Sequence, residues 1–186
     1  MTKVVALFPM KANSSRVPGK NFRDFCGKPL FRWVLESLMD VSSIQEIIIN
    51  TDASGILHEH GLVNNGRVSI RQRPNEICGD DVSMNRIIAD DIKNVNADVY
   101  LMTHTTNPLL SSNSIELALK RFINEKSKGT ADSLFTVNKI QTRFYREDST
   151  AINHDPDNLI PTQDLEPWYE ENSNLYIFTA NISIIS

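Results

Sequence analysis

Cysteine is nearly absent: Cys26 and Cys78 are the only two in 186 residues, far apart and outside any CxxC or CxxH spacing. That excludes a disulfide framework and a cysteine zinc site, and it suits a reducing, cytoplasmic setting. No apolar run approaches the roughly 18 residues of a membrane helix, and the first residues read as a strand rather than a basic leader, so a soluble, unexported protein is expected. Positive charge is not in excess either. With 19 Lys and Arg against 23 Asp and Glu, the net charge is -4, which argues against a nucleic-acid or anionic-membrane surface. No repeat, low-complexity tract or linker divides residues 1–186, and this length suits a single domain with a sizeable core.

What the sequence does have is a local concentration of cations. The apolar run Val4-Val5-Ala6-Leu7-Phe8 reads as a buried strand that empties into residues 9–21, where Lys11, Arg16 and Lys20 accompany Asn13, Ser14, Ser15 and Asn21. A strand end in an open α/β sheet is where ligands dock. Ammonium, guanidinium, short polar side chains and backbone N–H groups together meet phosphate oxygens. Pro18 restricts the turn and Gly19 permits it. The functional reading is a polyanion site; the bland one is a solvated basic loop. The spacing is neither GxxxxGK[ST] nor GxGxxG, which excludes a Walker A loop and the dinucleotide fingerprint.

Further along, residues 22–29 read as a short extended piece and a glycine turn, with Pro29 opening a helix to about residue 39 that buries Leu30, Phe31, Val34, Leu35 and Leu38. Residues 44–50 form a buried strand ending in Thr51-Asp52, where Asp52 either faces the ligand edge or caps the helix expected over 53–60. A third strand, 68–72, leads to Arg73, a fourth candidate cation, and to Asp80 and Asp81, which either hold a metal or cap a helix over 83–95, with capping the better reading. The strand 98–102 empties into a second polar loop, 103–108, at the same edge of a parallel sheet. A helix follows over 111–126. Beyond Gly129 the pattern changes: strands over 133–139 and 144–146, a Pro- and Asn-rich excursion, an acidic and aromatic stretch over 164–174, and an apolar strand over 175–180. Residues 129–174 read as an insertion on the sugar side or at a dimer contact. Alternating strands and helices imply an α/β fold with a mostly parallel sheet. His58-Glu59-His60 reads as an exposed helix end, since i, i+2 side chains diverge, and Trp33 and Trp168 read as packing or interface residues rather than base-stacking platforms.

Taken in order, Ser15-Arg16-Val17-Pro18-Gly19-Lys20-Asn21, Gly27-Lys28-Pro29-Leu30, Ile47-Ile48-Ile49-Asn50-Thr51-Asp52, Arg73-Pro74 and Thr106-Asn107-Pro108-Leu109 resemble the acylneuraminate cytidylyltransferase (CMP-sialic acid synthetase) family. The resemblance runs from Val4 to about Phe178. The sister enzymes for 3-deoxy-manno-octulosonate share the Ser-Arg-x-Pro-Gly-Lys piece.

The resemblance implies a Rossmann-like three-layer α/β/α nucleotide-diphospho-sugar transferase fold. It also implies a reaction in which the anomeric hydroxyl of a sialic-acid-like 2-keto sugar acid attacks the α-phosphorus of CTP, with Mg²⁺ on the phosphates and pyrophosphate leaving. CTP and an acidic sugar are the expected partners, and a homodimer is one assembly that the sequence leaves open. Arg16 and Lys20 are carried over as catalytic, Lys11, Asn13, Ser14, Ser15, Asn21 and Arg73 as nucleotide-binding, and His104, Asn172 and Tyr176 as sugar-binding; no metal ligand is carried over. Arg16 stands where many relatives have glycine. Glu170-Glu171-Asn172-Ser173 stands where sialic acid enzymes tend to have Arg-x-Asn-Gly, which leaves a different sugar as an alternative. The family's Asp-x-Asp for the metal lies C-terminal to the last strand, beyond Ser186, so the 186-residue chain is expected to bind CTP weakly with little turnover. A nucleotide-binding relative without activity is the other alternative.

Overall fold

β-branched and aliphatic runs of the first hundred residues build the centre of a parallel sheet. A computed structural model describes residues 2–181. In chain order the elements are β1 (Val4–Leu7), β2 (Asp24–Phe25), β3 (Lys28–Pro29), α1 (Leu30–Met39), β4 (Glu46–Thr51), α2 (Ser54–Glu59), β5 (Val68–Gln72), α3 (Met84–Asn94), β6 (Val99–Met102), α4 (Ser112–Ser127), β7 (Ser133–Ile140) and β8 (Trp168–Phe178). The main sheet has the order β5-β4-β1-β6-β8-β7. Its first four strands are parallel, with Ala6 opposite Ile47 and Leu101, and β8 joins antiparallel, with Leu101 opposite Ile177.

The period-2 alternation of the strands sorts their side chains onto two faces. Ala6, Ile47, Ile49, Leu101 and Ile177 pack with Phe31, Val34, Leu35 and Leu38 of α1, Leu57 of α2 and Ile115, Leu119 and Phe122 of α4. Val5, Leu7, Ile48, Tyr100 and Phe178 face Ile88 of α3. Each buried Leu, Ile or Phe removes enough apolar surface to stabilise the fold by about 1.5–3 kcal/mol. The result is the expected three-layer α/β/α arrangement around a mostly parallel sheet. None of the helices among the described residues is long and apolar enough to cross a membrane.

Contacts divide the chain into a unit of Met1–Phe135 with Asn174–Ser186 and a unit of Thr136–Ser173. Within the second unit, Thr136 Oγ1 donates to Asn172 Oδ1 at 2.7 Å, Asn138 Nδ2 to Glu170 Oε2 at 3.1 Å, and Phe144 stacks on Trp168 at 5.0 Å between ring centres. The strand expected over 144–146 is a single antiparallel bridge, Tyr145 to Ala151. Conversely, β8 begins at Trp168 rather than near residue 175. Its first residues are exposed, so the apolar signal of a buried strand is missing there although the backbone is extended. Pro29 is the N-cap of α1 rather than its first residue, and residues 24–29 form the small hairpin β2-β3.

Candidate active site

The loop after β1 is fastened before it reaches its cations. Phe8 N–H donates to Ile48 O at 2.8 Å and Met10 N–H to Asn50 O at 3.1 Å, so the chain rides along β4 past the end of β1. Gly19, at φ 62°, makes the left-handed turn into a short 3-10 segment, Lys20–Phe22, a conformation that costs glycine little. That segment brings Asn21 back over the loop. The buried amide of Asn21 donates to Lys11 O at 2.7 Å and accepts from Thr105 Oγ1 at 2.6 Å, joining the loops after β1 and β6. Asp52 Oδ1 accepts from Ala12 N–H at 2.7 Å. The N-cap of α2 is Ala53, so the capping role considered for Asp52 is replaced by this brace.

One hollow of about 160 Å³ at this edge is lined by Lys11, Ser14, Lys20, Asn21, Arg73 and His104, with Asp80, Thr105 and Thr106. It lies where the loops after β1 and β6 diverge, on either side of the point at which strand order reverses, the usual ligand position in an open α/β sheet. A shallower hollow alongside is lined by Lys11, Asn13, Ser14, Ser15, Asp52 and Asp80. Arg16 is exposed and lines neither. Its charge is nonetheless felt, because the Lys20 ammonium is pulled below its ordinary value by burial, then by Arg16 and Lys11. Crowded cations of this kind are relieved by an anion.

Arg73, the fourth candidate cation, is only 4% exposed. Its Nε donates to Asn50 Oδ1 at 2.9 Å, and its Nη2 to Asn50 O at 2.8 Å and Met10 O at 3.1 Å. Burial works against its charge, and Asp52, Cys78, Asp91 and Asp90 work for it. Nη1 makes none of these bonds, and Arg73 is among the residues that line the hollow. Burial, and then Lys20, hold the His104 imidazole below its ordinary value, so it is neutral at pH 7.

The remaining expectations divide. Tyr176 packs against the α3-side core and does not line either hollow. Asn172 belongs to the second unit, where its amide is bonded to Thr136 and Asn138. The capping role read for Asp80 and Asp81 is not found: the N-cap of α3 is Ser83, and Asp80 is ion-paired with Lys11. Sequence reasoning missed Asn50 and Thr105 as parts of the site. For Asn50 the signal was present, a polar residue after Ile47-Ile48-Ile49 in a strand with no room for an unpaired amide.

Known proteins match this architecture. The 3-deoxy-manno-octulosonate cytidylyltransferase of Christiangramia forsetii is 29% identical over 66% of this chain and 47% of its own length. The CMP-N,N'-diacetyllegionaminic acid synthase of Legionella pneumophila is 27% identical over 96% of this chain and 78% of its own. The chain thus spans about half the length of the first relative. A solved structure of CMP:2-keto-3-deoxy-manno-octonic acid synthetase complexed with CTP superposes with a TM-score of 0.67 at 17% identity, covering 96% of this chain and 74% of the other, a likeness of fold. The cytidylyltransferase family matches residues 5–184, nearly the whole sequence. On that match, and with a cation-lined hollow at the strand ends, the chain belongs to the cytidylyltransferase family.

Proposed function

We propose that this chain transfers CMP from CTP to the anomeric hydroxyl of a sialic-acid-like 2-keto sugar acid. The hydroxyl oxygen bonds to the α-phosphorus, the α–β phosphoanhydride bond breaks, pyrophosphate leaves and the hydroxyl proton passes to solvent or base. The observation that carries this reading is the convergence of Lys11, Lys20 and Arg73 on one hollow in an acidic protein of this family. Phosphoryl transfer is catalysed mainly by positioning and by charge directed at the phosphates. Lys20 and Lys11 supply mobile charge there, Ser14 and the backbone of the loop supply hydrogen bonds, and Arg73 supplies a fixed guanidinium. Neutral His104, on the opposite loop, is suited to hydrogen-bond the sugar.

Mg²⁺ belongs to the proposal. Among the described residues no three His, Cys, Asp or Glu side chains come together as a metal cage, but Asp52 and Asp80 line the same shallow hollow beside Ser14. Mg²⁺ keeps several waters and rests on one or two carboxylates plus substrate phosphates. The residues present therefore suit an ion that arrives with the triphosphate, with Asp52 and Asp80 as its protein ligands. Such an ion supplies neutralisation of charge on the phosphates.

A second reading is a 3-deoxy-manno-octulosonate substrate, favoured by the 29% identity to the Christiangramia forsetii relative. Titration calorimetry with CTP, ATP and GTP, followed by pyrophosphate release with CTP, Mg²⁺ and a panel of sialic-acid-like sugars and 3-deoxy-manno-octulosonate, tests both. CTP preference with turnover of a sialic-acid-like sugar supports the first reading, and turnover of the octulosonate alone supports the second. Equal affinity for the three nucleotides removes cytidine specificity.

A further inference from the structure

The amide of Asn50 is fully buried at the end of β4 and carries no surface role. Its Nδ2 donates to Asp91 Oδ1 at 2.8 Å and reaches Asp90 Oδ2 at 3.4 Å, while its Oδ1 accepts from Arg73 Nε at 2.9 Å. An amide can face its neighbours in two ways, and only one suits this pair. A carboxylate oxygen accepts and a guanidinium donates, so Asp91 draws the amide nitrogen and leaves the oxygen to Arg73. Arg71 of β5 grips both Asp91 and Asp90, so the carboxylates are themselves held. The backbone carbonyl of Asn50 takes Arg73 Nη2 as well. Two of the three guanidinium nitrogens are thereby fixed from beneath.

We propose that Asn50 is a positioning residue for nucleotide binding: with its amide oriented by Asp91, it aims the Arg73 guanidinium into the hollow formed by the loops after β1 and β6. This rests on the reading of that hollow as a CTP site. A guanidinium locked before the ligand arrives loses little freedom on binding. The charged network lies under the sheet edge rather than in the hollow, so its effect on the ligand passes through Arg73.

The test is a cycle of CTP affinities, by calorimetry on the full chain, for wild type, Asn50→Ala, Arg73→Ala and the double variant, at a temperature where melting curves show all four folded. Each single change is expected to weaken CTP on the order of ten-fold, and the double change no more than the larger single one, the mark of residues that act together. A residue that only supports the fold lowers the melting temperature and leaves CTP affinity unchanged, or gives losses that multiply; either result overturns the proposal. Should Asn50→Ala fail to fold, Asn50→Asp replaces it. That variant keeps the acceptor for Nε but sets a second carboxylate against Asp91, with Asp90, Arg71 and Arg73 around the pair. Its CTP affinity is expected to fall on the order of ten-fold, and an affinity equal to that of wild type overturns the proposal. If wild type binds CTP and Arg73→Ala binds it equally well, the positioning role fails while the nucleotide reading stands; if wild type binds no CTP, the nucleotide reading fails first.

Discussion

The ammonium of Lys11 is ion-paired with the carboxylate of Asp80, and both residues line both hollows at the strand ends. Asp80 follows Gly79, whose φ of 110° lets the loop after β5 turn toward the loop after β1. The carboxylate thus engages a cation that an incoming phosphate needs.

Removing that competitor should tighten phosphate binding. Both partners are partly exposed, and such pairs contribute little, about 0.2–1 kcal/mol. Asp80→Asn is therefore expected to raise affinity for pyrophosphate, with Mg²⁺ omitted, by about two- to five-fold. Calorimetry at low salt checks it; weaker binding by the variant shows that Asp80 does not compete.

Lys20 should matter more than Arg16. Lys20 lines the hollow and carries charge made costly by burial and by its cationic neighbours, whereas Arg16 is exposed outside it. Lys20→Ala is expected to lower kcat for pyrophosphate release on the order of 10²-fold, the size of effect seen for preorganised charge, and Arg16→Ala to lower it less. Equal losses from the two variants, measured side by side, return Arg16 to the centre of the site.

The Asp91 carboxyl gives a pH signature of stability. It is pushed up to about 6, chiefly by burial, against the pull of Asn50 and Arg71. A carboxyl with a raised value binds its proton more tightly folded than unfolded, so its contribution is fully present below its unfolded value near 3.8 and is lost as pH rises through about 6. Relative to Asp91→Asn, wild type is expected to lose on the order of 2–3 kcal/mol between pH 4 and 7. Urea titrations of both proteins across that range measure the difference, and a flat difference removes the assignment.

His104 should act on the sugar and not on the nucleotide charge. Its imidazole, held neutral by burial and by Lys20, offers no positive charge to CTP at pH 7.5. His104→Gln is expected to keep CTP affinity within about two-fold, since neutral hydrogen-bonding groups replace one another at small net cost, and to raise the KM of the sugar. Because the folded imidazole resists protonation, its contribution to stability is lost as pH falls below its ordinary value of 6.5, opposite in sign to Asp91.

A change far from the site provides a contrast. Ser111 caps α4 by accepting from Ser114 N–H at 3.2 Å. Ser111→Ala is expected to cost about 1 kcal/mol of stability with CTP affinity unchanged, as a melting curve and a titration on the same sample would show.

The sequence by itself determined the layers of this fold. Leu30, Phe31, Val34, Leu35 and Leu38 recur at helical spacing, and Val4–Leu7 and the Ile47-Ile48-Ile49 run are too apolar to be anything but interior strands, because burial of such surface dominates the folding free energy. It also marked the loop of residues 9–21, since three cations in an acidic chain stand out by composition. Tertiary structure alone decided what those residues do. Asn50 and Arg73 are 23 positions apart, Asn21 and Thr105 84, and Lys11 and Asp80 69; no local pattern records these pairings, because hydrogen bonds across a sheet edge depend on which strands become neighbours and in what register. The β8 residues that read as an acidic stretch became strand for the same reason. An exposed extended segment has no apolar period to announce it, and its backbone is satisfied by a partner strand that the local sequence does not name.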